Sequence, residues 1–170
     1  MRKRNALLSL TALVLLAGLS AAIHLAKQGI LCEFISAQPS ERAQSVLAEA
    51  MAASLVPREL LLKLLSVNLY DMEENSRPER LVSFKRAYRD SVEVVRVLLG
   101  AACPEETEEQ IQDLILALFP FIHGIYPYAF HTEKQRQAME QAGISLEERS
   151  IYDLALGGFL KILGVDETTP

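Results

Sequence analysis

Pro78-Glu79-Arg80-Leu81-Val82-Ser83-Phe84-Lys85-Arg86-Ala87-Tyr88-Arg89-Asp90-Ser91-Val92-Glu93-Val94-Val95-Arg96-Val97-Leu98-Leu99-Gly100 is the stretch that decides the fold class. Leu81, Phe84, Tyr88, Val92, Val95 and Leu99 recur every three or four residues, which places them on one face of a helix for five turns. Proline suits the first turn of a helix, because its missing N–H has no intrahelical partner there, so Pro78 reads as the start. Gly100 reads as the stop. Lys85, Arg86, Arg89 and Arg96 fall off the apolar stripe and read as a solvated face.

The same grammar extends in both directions. Upstream, Pro39-Ser40-Glu41 predicts a helix with Ser40 as N-cap, running to about Ser54. Pro57 then predicts the start of another, with Leu60, Leu61, Leu64 and Leu65 as its apolar face, continuing through Tyr70 and Met72 to Glu73-Glu74-Asn75. Downstream, Pro104 predicts the start of the longest helical stretch. Glu105, Glu106, Glu108 and Glu109 fill its first turns, where the positive end of the helix dipole favours carboxylates. Pro120 is expected to bend that helix and Pro127 to end it or bend it again. Thr132-Glu133-Lys134-Gln135 has the form of a capping box for a short helix that stops at Gly143. Ser145-Leu146-Glu147-Glu148 has the same form, predicting a last helix to about Leu163 with Gly164 as its stop. Gly157-Gly158 lies inside that helix, where two helix-weakening residues point to a closely packed neighbour. The fold class expected is all-α.

Composition agrees. Half of the 170 residues are hydrophobic, which suffices for one good core. There is no tryptophan, and β-branched residues are sparse beside Leu, Ala, Glu, Arg and Gln, which lose little side-chain freedom on a helix. The formal net charge of −5 is unevenly spread: residues 1–34 sum to +3 and residues 35–170 to −8. An acidic body repels a phosphate backbone, so direct binding to DNA by this chain is not expected. Cys32 and Cys103 have neither a partner motif nor a metal spacing, and read as buried or half-buried thiols.

Residues 1–34 form an apolar N-terminal segment and residues 35–170 the domain proper. Met1-Arg2-Lys3-Arg4-Asn5 precedes Ala6 to Ala26, which carries no formal charge. A basic start, an apolar run and the small residues Ser20 and Ala22 match the parts of a secretory signal. The run is also near the ~20 residues of a membrane span. Ser9, Thr11, Gly18, Ser20 and His24 dilute it, so a buried apolar helix reads equally well. Signal, anchor and linking helix stay open here, as does a misplaced start of the reading frame.

Catalysis finds no footing. The histidines are His24, His123 and His131, and none lies in a hydrolase motif; no nucleophile elbow, phosphate loop or dinucleotide fingerprint is present. The residues three before the histidines are Ala21, Pro120 and Tyr128, so the Glu-x-x-His pairs of carboxylate-bridged metal sites are missing. No enzyme, cofactor or metal is expected. What stands out is Phe119-Pro120-Phe121-Ile122-His123-Gly124-Ile125-Tyr126-Pro127-Tyr128-Ala129-Phe130, five aromatics and a histidine in a chain that is 6% aromatic. The cluster reads either as ordinary core or as the wall of a small-molecule pocket with a few polar tips.

Leu64-Leu65-Ser66-Val67-Asn68-Leu69-Tyr70-Asp71-Met72-Glu73-Glu74-Asn75-Ser76 and Leu81-Val82-Ser83-Phe84-Lys85-Arg86-Ala87-Tyr88 resemble the C-terminal regulatory domain of tetracycline-repressor (TetR) regulators. The run from Phe119 to Tyr128, Thr132-Glu133-Lys134-Gln135 and the final helix are similar to the same class. The likeness covers roughly residues 35 to 164. It implies an antiparallel helical bundle, here with an extra apolar N-terminal helix, that binds a small apolar or amphipathic effector. Asn68, Met72, Phe84, Tyr88, Phe121, His123 and Tyr126 are the expected ligand-binding residues. It also implies a homodimer through the last two long helices, with Leu114, Leu118, Leu156, Gly157, Gly158, Phe159, Leu160 and Leu163 at the interface. The family's DNA-reading helix-turn-helix, with its T-x-x-x-I-A-x-x-A-G-V-S type stretch, has no counterpart before residue 40.

The functional expectation is therefore an effector-binding and dimerisation domain without its own DNA-binding motif, acting through a full-length regulator as partner, in the cytoplasm. The alternative is a membrane-anchored or exported helical binding protein, held through residues 6–26, with an unrelated role.

Overall fold

The computed structural model describes residues 29–67, 73–145 and 147–165, and every described element is helical. In chain order these are α1 (Ile30–Ser36), α2 (Ser40–Leu55), a 3-10 turn (Val56–Arg58), α3 (Glu59–Ser66), α4 (Pro78–Ala102), α5 (Glu108–Gly124), α6 (Tyr126–Ala129), α7 (Glu133–Gln141) and α8 (Ile151–Ile162). The chain is all-α as its periodicities require. The apolar run 6–26 and the helix expected there lie outside the described residues.

Local chemistry explains most element ends, with some shifts from expectation. Pro78 does open α4, but α4 runs on through Gly100 to Ala102 and is the longest described helix, at 25 residues against 17 for α5. Ser40 is the first helical residue and not the cap; Pro39 holds the extended cap position, with no side-chain hydrogen bond. Pro104, Glu105 and Glu106 stay in the connection before α5, because Thr107 supplies a better start. Its hydroxyl accepts from the Gln110 N–H while the Gln110 carboxamide accepts from the Thr107 N–H at 2.8 Å. Thr132 and Gln135 close the expected capping box on α7, and Gly143 (φ 71°) ends that helix, with the Ile144 N–H on the Met139 carbonyl. The last helix opens at Ser150, which accepts from the Asp153 N–H, and not at Ser145. Its buried register Ile151, Ala155, Phe159 begins only there. Leu146 lies outside the described residues.

The leucine-rich helix is shorter than expected. Val67 leaves helical geometry, so α3 stops at Ser66 and does not continue unbroken toward Met72. Its buried side is Leu61 and Leu62, while Leu60 is half exposed. Pro120 lies within α5 without ending it, and Pro127 sits in the first turn of α6.

Ile35, Leu47, Leu62, Leu99, Leu118 and Phe159 are the large side chains at the centre. α8 packs chiefly along α2, where Ala43, Ala48 and Ala52 face inward and Ala155 answers from α8. Small residues on both sides let two helices approach closely. α1 rests on α4 and α2 and brings Ile35 into the core. It crosses the division expected at residue 34, since Leu31 and Cys32 pack against the same core. α7 buries no residue.

Candidate functional site

α2, the 3-10 turn, α3, α4 and α5 do not close completely on one another. They leave a cavity of about 200 Å³, with Phe159 of α8 also reaching it. Met51, Ser54 and Leu55 line it from α2, Arg58 from the 3-10 turn, and Leu61 and Leu65 from α3. α4 contributes one face from Phe84 and Tyr88 through Ser91 and Val95 to Leu98, and α5 contributes Phe119, Ile122 and His123. The lining is overwhelmingly apolar, which fits guests that leave water readily.

Of the expected ligand-binding residues, Phe84, Tyr88 and His123 line this cavity. Phe121 and Tyr126 do not. Phe121 turns to the other side of α5, edge-on to Phe159 with centroids 5.6 Å apart. The Tyr126 hydroxyl reaches Glu59 Oε1 at 3.5 Å, and loss of water together with that carboxylate raises its pKa. Asn68 and Met72 lie outside the described residues. Sequence reasoning passed over α2 altogether, because Met51, Ser54 and Leu55 stand in an alanine-rich helix that reads as plain core. Arg58 and Ser91 were also missed. A serine on the apolar face of α4 was the signal available.

The few polar groups are already engaged. The Ser54 hydroxyl donates to the Met51 carbonyl at 2.7 Å and the Ser91 hydroxyl to the Ala87 carbonyl at 2.6 Å. The Arg58 guanidinium donates to the Ser54 carbonyl. Burial holds the His123 imidazole below its ordinary pKa of 6.5, with the Glu73 carboxylate pulling weakly the other way. At the edge, Lys85 lies 5.7 Å from the Phe84 ring centroid and 6.0 Å from that of Tyr88, and pairs with Glu73 at 2.8 Å. Tyr88 in turn meets Phe119 edge-on at 5.2 Å.

The residues expected at a dimer interface divide sharply. Leu118, Phe159 and Leu163 are buried inside the subunit's own core, so they have no surface to offer a second copy. Leu114, Leu156, Gly157 and Leu160 remain partly exposed. Gly158 meets a neighbour within its own chain, the Phe121 ring, whereas nothing lies within 4 Å of where a Gly157 Cβ would stand. The outward face of α5 instead carries Leu116, 61% exposed, with Ala117, Pro120 and Gly124 beside it in helical register.

Among the described residues no group of His, Cys, Asp and Glu is arranged to hold a metal ion. Cys103 is buried with its thiol pKa raised by that burial, despite the Gln44 carboxamide at 3.6 Å, and Cys32 is half-buried. No described helix is long and apolar enough to cross a membrane.

No curated protein and no solved structure matches the chain. A family model described as "Tetracyclin repressor-like, C-terminal domain" does, over residues 16–149, a span that takes in every wall of the cavity except Phe159. With that match running over most of a chain whose described elements are all helical, the protein belongs to the tetracycline repressor-like C-terminal domain family.

Proposed function

We propose that the chain is a regulatory effector-binding and dimerisation domain: the cavity holds a small apolar or amphipathic molecule, and a second copy covers the outer faces of α5 and α8. The observation that carries the reading is the cavity itself, an apolar space amid six helical elements beside the buried core. A small apolar molecule that leaves water for such a lining gains contacts with it. Binding, not catalysis, is the role such a site suits. The acidic body, −8 over residues 35–170, supports the absence of direct DNA contact. The chain then acts on transcription through a full-length regulator, by pairing with it or by competing for its effector, in the cytoplasm.

The interface in this reading uses Leu114, Leu116, Ala117, Pro120, Leu156, Gly157 and Leu160. Phe159→Glu is no test of it, because a charge placed at a fully buried position would unfold the subunit. Leu116→Glu is the informative change: light scattering should show a dimer for the parent and a monomer for the variant, with helicity retained. A parent chain that is monomeric at ~100 μM removes the interface, since stable interfaces bury over ~1,000 Å² and hold at lower concentrations. For the cavity, a screened ligand at a hundred times its dissociation constant should stabilise the chain by about 2.7 kcal/mol. Ala87→Phe, which fills the space from α4, should abolish that gain. A gain that survives Ala87→Phe rules the cavity out.

A further inference from the structure

We infer that the guest of this cavity is an uncharged, compact molecule of about eight to ten non-hydrogen atoms, a single ring or a medium-length chain with at most one hydroxyl or N–H group. The inference rests on reading the cavity as the effector site and narrows what that site accepts. Size comes first. A space of about 200 Å³ is smaller than the ~300–1,000 Å³ of sites for drug-sized ligands. An apolar cavity of ~150 Å³ takes a benzene ring, so this half-open one shelters only slightly more, and a longer guest extends out of it.

Charge comes second. The two serine hydroxyls donate their protons to Met51 and Ala87 carbonyls on their own helices, so a guest meets oxygen lone pairs there. Lone pairs accept from a hydroxyl or N–H and repel a carboxylate. The burial that lowers the pKa of His123 also acts against an ionised guest. Arg58 is the one formally charged residue lining the cavity among the described residues, and its guanidinium is directed to the Ser54 carbonyl. At the edge, Lys85 is neutralised by Glu73 at 2.8 Å. Apart from Arg58, the described lining carries no fixed charge that calls for a counter-charge on the ligand.

A homologous series tests both parts on the purified full-length chain, with dissociation constants from titration calorimetry. From butanol to octanol each added methylene should tighten binding about fourfold, as expected for a methylene leaving water. Beyond octanol or nonanol the constants should level off. Affinity that continues to climb through dodecanol overturns the size limit. Octanoate at mildly alkaline pH should bind at least about tenfold more weakly than octanol, and equal or tighter binding overturns the charge assignment. Ala87→Phe and Ala87→Leu should each remove octanol binding, which ties the series to the cavity. If larger or anionic amphiphiles bind in an Ala87-sensitive way while octanol does not, this inference fails and the effector-site reading stands. If no ligand is sensitive to either substitution, both fail.

Discussion

Gly157 and Gly158 are adjacent in α8, yet an alanine should have opposite packing consequences at the two positions. Either substitution gains about 1 kcal/mol of helix propensity, since glycine loses more backbone freedom on folding. At Gly157 the new methyl meets nothing of its own chain within 4 Å. At Gly158 it runs into Cζ of Phe121, with Cε1 and Cε2 each only 2.7 Å away. The half-buried ring must give way, and in doing so it disturbs its edge-on contact, at 73°, with Phe159, which is 0% exposed. Forcing a methyl into such a place costs about 1–3 kcal/mol. The propensity gain is common to both variants and cancels in their difference. Gly157→Ala should therefore be more stable than Gly158→Ala by about 1–3 kcal/mol. At roughly 2–4 °C per kcal/mol for a chain of this size, that is about 2–12 °C in Tm. Urea unfolding followed by circular dichroism measures it, with both variants made in the monomeric Leu116→Glu background so that a second copy over Gly157 does not contribute. The same pair made in a Phe121→Ala background should agree to within about 0.5 kcal/mol, because the obstructing ring is gone. Equal stabilities in the parent background, or a difference that survives loss of the ring, would refute the reasoning.

Two further expectations follow from single groups. His123 has a lower pKa folded than its ordinary 6.5, so the unfolded chain binds more protons just below that value. Its contribution to stability is therefore complete above pH 6.5 and is lost as pH falls below it, until the folded imidazole also takes up a proton. Melting temperatures taken from about pH 8 to about pH 5 should show this loss in the parent and a smaller one in His123→Gln; identical profiles would exclude it. The caps of α5 and α7 should differ in reach. Thr107→Ala should cost about 1 kcal/mol of global stability, because α5 carries Ile111, Ile115 and Leu118 into the core. Thr132→Ala should leave global unfolding nearly unchanged and speed amide exchange only within α7, which buries nothing. Equal global effects of the two caps would show that α7 is coupled to the core.

Helix identity, and several helix ends, were legible in the sequence because their causes are local. A capping box needs only Thr132 and Gln135, three residues apart, and a glycine stop needs only the left-handed geometry that Gly143 and Gly164 adopt. Pro78 marks the start of α4 through its own ring. Two helix starts fall later than the sequence reading puts them, at Thr107 and not Pro104 and at Ser150 and not Ser145. In each case the capped start that keeps the following apolar register on the core was adopted.

What tertiary structure decided is which neighbour each apolar face meets. Periodicity assigns Leu60 to Leu65 to a helix with a buried side, but only the positions of α5 and α6 turn Leu61 and Leu62 inward and leave Leu60 half exposed. Phe121 and His123 are two residues apart in one aromatic run. A two-residue step turns a helix by about 200°, so one faces Gly158 and Phe159 while the other faces the cavity. The glycine pair announced a close approach without saying to what, and the ring of Phe121 in the same chain supplies it for Gly158 alone. The cavity was the least legible of all. Its walls come from six separate elements, and a space between helices is a property of their spacing in three dimensions, for which no single segment carries a pattern.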